Sequence, residues 1–368
     1  MAPTKPSLEL LRALSDEHVL RALMVQRRAT RAELAVATGL SKPTVSESVR
    51  RLSEAGVVVD TGERTTGRGR IGTYYGLPGT TGCALVVGIA PEGIVAEAVD
   101  VYGDVVARAQ AEVSRAPGAG AVARALAAVA GEVAAPGPVR VATVSAADPV
   151  DRASGRLVEL PDSPFLVGAL DPPAVLAGVV DGPVSVDNDV NWAARAEHGR
   201  AADFVYVYLG EGLGAAVVSD GEVRRGHAGL AGEIAHLPTV GPGGVAMPFT
   251  DVFAALGLHR PGSTAIDVPA LLAAAARDAS DLARAICGVL AAAVALADPE
   301  VVLIGGPWGR DPAVLAAIAR EFGRAPRNVA VEAASVEDEP ALVGARETAL
   351  RQLRDAIVAG ASWGEDPR

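Results

Sequence analysis

The sequence predicts a winged helix-turn-helix head over residues 1–79, α-helical with a β-wing, followed by a two-lobed α/β body over residues 80–368. Three observations predict it. Residues 30–54 carry two short capped helices joined by a glycine turn. Arg64, Arg68 and Arg70 stand among glycines between two strand-like runs. From Cys83 onward apolar strands alternate with helices, and a hairpin opens each half of that stretch.

In chain order, Ser7 to Met24 is expected as a leading helix with Leu8, Leu11 and Leu14, then Val19, Leu20 and Leu23, turned inward and a break near Ser15. Thr30 and Glu33 form a T-x-x-E capping box that starts the next helix, and Gly39 ends it. Ser41 caps a third helix, with Pro43 in the first turn, where a missing N–H costs nothing. Val45, Val49 and Leu52 recur at i, i+4 and i+7 and form its buried stripe. The outer face and its flanks keep Lys42, Thr44, Ser46 and Glu47, expected near base edges of double-stranded DNA, and Arg50. Arg50 and Arg51, with Arg68 and Arg70 of the wing, are expected on phosphates. Val57 to Asp60 and Thr73 to Leu77 read as the wing strands. The competing reading is a generic three-helix module whose arginines are merely solvated.

Residues 78–82, Pro-Gly-Thr-Thr-Gly, read as a linker. After it come an apolar strand from Cys83, two alternating strands around Tyr102-Gly103-Asp104, an Ala-rich helix from Ala119 to Ala134 and a buried strand from Val139. Val184 to Val186 is a strand running into the helix start Asp187-Asn188-Asp189-Val190-Asn191. Phe204 to Val223 repeats strand, glycine turn, strand. Ala270 to Ala297 reads as helix, Val301 to Gly306 as a strand ending in glycines, and Pro312 to Phe322 and Ala341 to Ala359 as helices. Two lobes follow, about 80–187 plus the C-terminal helix and about 188–345, with any ligand in the cleft where strands end in glycine turns.

Charge divides the chain in the same way. Net charge is −11, yet residues 1–79 hold 12 Lys+Arg against 8 Asp+Glu, so the head is +4 and the remainder −15. A basic reader on an acidic body suits nucleic-acid binding with little non-specific adhesion. Cys83 and Cys287 are far apart in apolar runs, which argues against a disulfide framework and fits a reducing cytoplasm. The uncharged run from Ala285 to Ala297 is short of the ~20 residues a membrane span needs, and no signal peptide is read at the N-terminus, so no membrane is expected among the partners.

The segment Gly226 to Leu237, GHAGLAGEIAHL, is similar to the signature of the ROK family of repressors, open reading frames and sugar kinases. DNDVN at Asp187 to Asn191, LGEGLGAAV at Leu209 to Val217, VLIGG at Val302 to Gly306 and ALVGARETAL from Ala341 extend the resemblance. The head resembles that of ROK repressors of the xylose and N-acetylglucosamine type. The resemblance implies a body of the actin-like ATPase/sugar kinase fold, with sugar contacts at Asn188, Asp189, Glu233 and His236, the aspartate being the general base in kinases. Alternatively, Asn188 or Asp189 caps the helix that follows, and Glu233 and His236 pair with each other.

Departures from the family set the functional expectation. Ala90 and Ile94 stand where kinases carry an Asp and a Thr, Glu92 replaces a loop glycine, and Gly210-Glu211-Gly212 stands for Gly-Thr-Gly. A carboxylate in each loop opposes a polyphosphate. The cysteine-rich zinc motif is replaced by LPTVGPGGVAMPFTDVF, so neither zinc nor another cofactor is expected, and Asp251 is the nearest carboxylate to the family's following glutamate. Ala235 stands for a family glycine. The expectation is a repressor without catalytic residues, a homodimer or homotetramer on a roughly palindromic operator, controlled by a small effector such as a sugar or sugar derivative. The alternatives are an ATP-dependent sugar kinase with a DNA-binding head and a ligand-independent regulator whose body only oligomerises.

Overall fold

A computed structural model describes residues 8–66, 71–114, 118–134, 137–160, 165 and 167–361. It begins with α1 (Leu8–Gln26), β1 (Arg28–Thr30), α2 (Arg31–Thr38), α3 (Lys42–Glu54), β2 (Val59–Arg64) and β3 (Thr73–Gly76). The capping box closes as the sequence requires. Glu33 N–H donates to Thr30 Oγ1 at 3.2 Å, Thr30 N–H donates to Glu33 Oε2 at 2.8 Å, and Gly39 ends α2 in the left-handed region at φ 72°. Thr44 N–H donates to Ser41 Oγ at 3.3 Å and starts α3, whose Val45, Val49 and Leu52 are buried. They pack with Leu20, Leu23 and Leu34 of α1 and α2.

Three features of the head differ from expectation. α1 is unbroken through Ser15, whose hydroxyl donates to Leu11 O at 2.8 Å within the helix. Leu8, Leu11 and Leu14 do not face the core. They are 64, 48 and 45% exposed, since the first turns of α1 project past the three-helix module, and Val19, Leu20, Leu23 and Met24 alone form its buried stripe. β1 joins the wing sheet in the order β1-β3-β2, a three-residue strand too short for alternation to reveal.

The body opens with β4 (Cys83–Ala90), β5 (Gly93–Val99), β6 (Val105–Ala111), α4 (Ala119–Val133), β7 (Val139–Ala146), α5 (Pro172–Leu176), β8 (Val184–Asn188) and α6 (Asp189–Ala196). It continues through β9 (Phe204–Leu209), β10 (Leu213–Ser219), β11 (Glu222–Val223), β12 (Pro238–Val240), β13 (Ala246–Pro248), α7 (Phe249–Ala255), α8 (Val268–Ala275) and α9 (Ser280–Ala297). β14 (Val301–Gly305), α10 (Pro312–Phe322), β15 (Ala330–Ala333) and α11 (Pro340–Ala361) complete it. The stretch read as one helix from Ala270 is two, α8 ending at Ala275 and α9 starting at Ser280, with an Asx turn in between in which Asp278 accepts the Ser280 N–H at 2.8 Å.

Each lobe is built on a five-stranded sheet, ordered β6-β5-β4-β7-β8 and β11-β10-β9-β14-β15. In both, an antiparallel meander is extended by two parallel strands, and the same layout therefore occurs twice. α9 is long and apolar enough to cross a membrane by length and composition. Here its Ile286, Val289, Leu290 and Val294 sit in the large-lobe core with Val205 and Ile304.

α11 joins the parts. At Gly344 a Cβ would overlap the carbonyl oxygen of Trp192, so α11 and α6 meet backbone to backbone. Thr143 Oγ1 donates to Ala345 O at 3.2 Å, tying the same turn to β7. Further along, Leu353, Ile357 and Val358 share one core with Leu20 and Leu23 of the head. Burial of each such side chain contributes roughly 1.5–3 kcal/mol. Arg21 to Asp355 at 2.9 Å, Arg27 to Asp104 at 2.5 Å and Arg354 to Met24 O at 3.3 Å add polar ties between head and body.

Candidate functional site

On the head, the exposed side of α3 carries Lys42, Glu47 and Arg50, with Thr44 and Ser46 half-buried at its edge. Thr44 Oγ1 lies 2.7 Å from Ser41 Oγ, so the helix cap also orients this hydroxyl. Arg50 bridges Glu47 and Glu54. The pairs are exposed and readily exchanged for other partners. Arg51 is half-buried and donates to Asp16 of α1 at 2.6 Å and to Ser48 at 3.1 Å, a fork that ties α3 to α1. Arg68 and Arg70 lie outside the described residues. Sequence reasoning missed Arg28 and Arg31, which stack over Tyr74 and Tyr75 of β3 at 5.2 and 4.8 Å.

In the body, Asn188, Asp189, Glu233 and His236 all line one cavity of about 910 Å³ between the lobes. β8 ends and α6 begins at the first two. Asn188 caps α6, its Oδ1 accepting Val190 N–H at 3.0 Å, while its Nδ2 donates to Ala146 O and Asp148 O at 3.3 Å. The capping alternative therefore describes Asn188, whose amide is already engaged. Asp189 keeps one carboxylate oxygen beyond its contact with Val190 N–H at 2.8 Å. Burial pushes its carboxyl up to about 7, with Glu233, Asp148 and Glu92 adding like charge.

Glu233 and His236 flank a 3-10 turn from Ile234 to His236. Gly232 delivers it at φ 99°, against β10, where a Cβ would overlap Ala215 O. Burial raises the Glu233 carboxyl, and His236 partly offsets the rise, although no hydrogen bond joins the two among the described residues. Asp251 lies exposed on the first turn of α7 and does not line the cavity.

Sequence reasoning missed Asp148, buried at 1% exposure just after β7, where a lone acid following an apolar strand was the available signal. Its Oδ2 accepts Val167 N–H at 3.0 Å, its Oδ1 has no hydrogen-bond partner among the described residues, and burial pushes the carboxyl up to about 7. Arg260 was also missed. It pairs with Glu211, and no spacing in the sequence links residues 49 positions apart.

That pair changes the reading of the second glycine loop. Glu211 is neutralised rather than free to repel an anion. The loop is nevertheless closed on itself: Gly210 N–H donates to Gly212 O at 3.1 Å, Trp308 Nε1 donates to Gly210 O at 2.8 Å, and Ile266 N–H donates to Glu211 O at 3.0 Å. In the first loop Glu92 is exposed at the cleft. Where the family's zinc motif falls, β12 and β13 form a hairpin whose turn closes through Gly241 N–H to Val245 O at 2.8 Å. Thr239 anchors it by donating to Ala285 O of α9 at 2.6 Å. These residues supply no thiolate and do not fit a structural zinc. Among the described residues no three His, Cys, Asp or Glu side chains are grouped to hold a metal ion.

A profile of the ROK family matches residues 95–249. Over that stretch the body is similar to ROK-family domains. A profile of winged helix-turn-helix DNA-binding modules matches residues 12–59, so a ROK-like body carries a DNA-binding type of head. The xylose repressor of Caldicellulosiruptor bescii is 41% identical over 59 residues, which is 15% of each chain. A ROK family transcriptional regulator homologous to the E. coli MLC protein superposes with a TM-score of 0.65 at 18% identity, over 96% of this chain and 99% of that one. The ROK hexokinase of Thermus thermophilus superposes with a TM-score of 0.56 at 26% identity, over 74% of this chain and 99% of the hexokinase.

Proposed function

We propose that this chain is a transcriptional repressor in which the ROK body senses a small effector, a sugar or sugar derivative, and has no kinase turnover. It acts as a homodimer or homotetramer in the cytoplasm, with paired heads on a roughly palindromic operator. The observation that carries the reading is the continuity of α11. Its first residues, Pro340, Ala341 and Leu342, wall a cavity of about 490 Å³ beside the cleft, which shares Asp189 and Tyr208 with it. Its second turn meets α6, the helix that starts at Asp189, and its last turns share the head's core. A ligand that changes how the lobes close thereby biases where the head stands. The self-bonded Gly210–Gly212 loop and the exposed Glu92 support the absence of phosphoryl transfer.

Footprinting on operator fragments selected from genomic DNA tests the head. Arg68→Ala with Arg70→Ala should weaken binding and flatten its salt dependence, and unchanged binding would remove the wing from the proposal. The runner-up, a sugar kinase with a DNA-binding head, draws on Asp189, whose carboxyl near 7 suits a general base. A coupled ATP-consumption assay across hexoses decides between them, and hexose-dependent turnover would overturn the non-enzymatic reading.

A further inference from the structure

The cleft has an excess of acid that a neutral ligand leaves uncompensated. Glu92, Asp189 and Glu233 line it. Asp148 is sealed behind the wall segment of Ala147 and Pro149, with its Oδ1 lacking a partner among the described residues. The only Lys or Arg among the described residues lining this cavity or its smaller neighbour is Arg260, and Glu211 already holds it. His236 is the one other basic group on the wall among the described residues and stands exposed at its edge. Burial disfavours the ionised forms of all three acids, and like charge adds to it at Asp148, from Glu159 and Glu233, and at Asp189, from Glu233, Asp148 and Glu92.

A phosphorylated or carboxylated ligand meets this field as a like charge. An uncharged polyol finds acceptors but does nothing for the crowded carboxylates. A ligand cation lets them ionise together, a gain made only in the bound state. We propose that the effector is a polyhydroxylated compound carrying a protonated amine, the ammonium seated between Asp189 and Glu233 and the hydroxyls facing His236. The proposal rests on the effector reading above and narrows it to a charge class.

The test is calorimetric titration of the full-length chain at pH 7 with glucosamine, galactosamine and mannosamine, each against its parent hexose, in two buffers of different ionisation enthalpy. At least one amino hexose should bind roughly tenfold or more tightly than its parent, with net proton release as the carboxyls ionise. Glu233→Gln should reduce that preference severalfold, while the far-ultraviolet circular dichroism of the variant confirms that it is folded. Parent hexoses binding as tightly as their amines would overturn the inference and leave a sugar-sensing body standing. An amine preference that survives Glu233→Gln and releases no proton would also overturn it. If none of the six compounds binds, the inference falls together with the simple-sugar form of the effector reading.

Discussion

The two lobes share a strand order and differ in what their glycine turns do with charge. In the small lobe the turn from β4 to β5 leaves Glu92 exposed at the cleft, and Asp148, after β7, is buried with one oxygen unpaired among the described residues. In the large lobe the equivalent turn, from β9 to β10, has its carboxylate paired with Arg260 and its backbone bonded to itself and to Trp308. Repeated topology brought similar turns to the cleft, but a side chain distant in sequence cancels the carboxylate at one turn and leaves that at the other exposed. The difference teaches that a shared fold does not fix a shared ligand.

The contrast can be broken most severely at Gly306, in the large lobe, where φ is 88° and a Cβ would overlap Leu209 O. Gly306→Ala should cost about 3 kcal/mol or more, read as a lower urea midpoint, whereas Gly257→Ala, at φ 67° with open space, should cost only about 1 kcal/mol. A similar loss at both sites would mean that the loop is not locked.

In the small lobe the effect has the opposite sign. Asp148 has its folded pKa raised to about 7, so the folded state holds a proton that the unfolded chain gives up above about 4. Stability from this group is present below pH 4 and lost as pH rises through 7. Asp148→Asn should therefore stabilise the protein at pH 8, by on the order of 3 kcal/mol, and the gain should vanish near pH 4. Thermal melts of both proteins across that range check it, and a gain independent of pH would refute the buried-charge account.

Freeing the large-lobe carboxylate gives a smaller change. Arg260→Ala should cost about 1 kcal/mol because the pair is partly solvated, and Glu211→Ala in the same chain should restore part of it. Full additivity of the two substitutions would show that the pair carries no coupling. Least affected should be a function outside both lobes: Lys42→Ala, on the exposed start of α3, should leave stability unchanged and reduce the salt slope of operator binding by about 1.

Much of the head was legible because its determinants are local. Thr30, Glu33, Gly39, Ser41 and Pro43 act within one helical turn of where they stand, and Val45, Val49 and Leu52 carry their period on the surface of the sequence. Leu8, Leu11 and Leu14 have a similar period yet stay exposed, since periodicity names a face and not what covers it. In the cleft, sequence similarity brought together Asn188, Asp189, Glu233 and His236, but it could not tell that the Asn188 amide is occupied by α6 and by two carbonyls. The pairing of Arg51 was hidden for the same reason, because its partner Asp16 lies on another helix.

By itself the chain determined where helices start and stop, which strands repeat, and that a basic reader precedes an acidic body, since each follows from neighbours within a few residues or from composition. Only the tertiary structure decided which charges are cancelled and which remain. Glu211 meets Arg260, while Asp148 Oδ1 has no hydrogen-bond partner among the described residues. Pairing and desolvation depend on distance through space, which the order of residues along the chain does not encode.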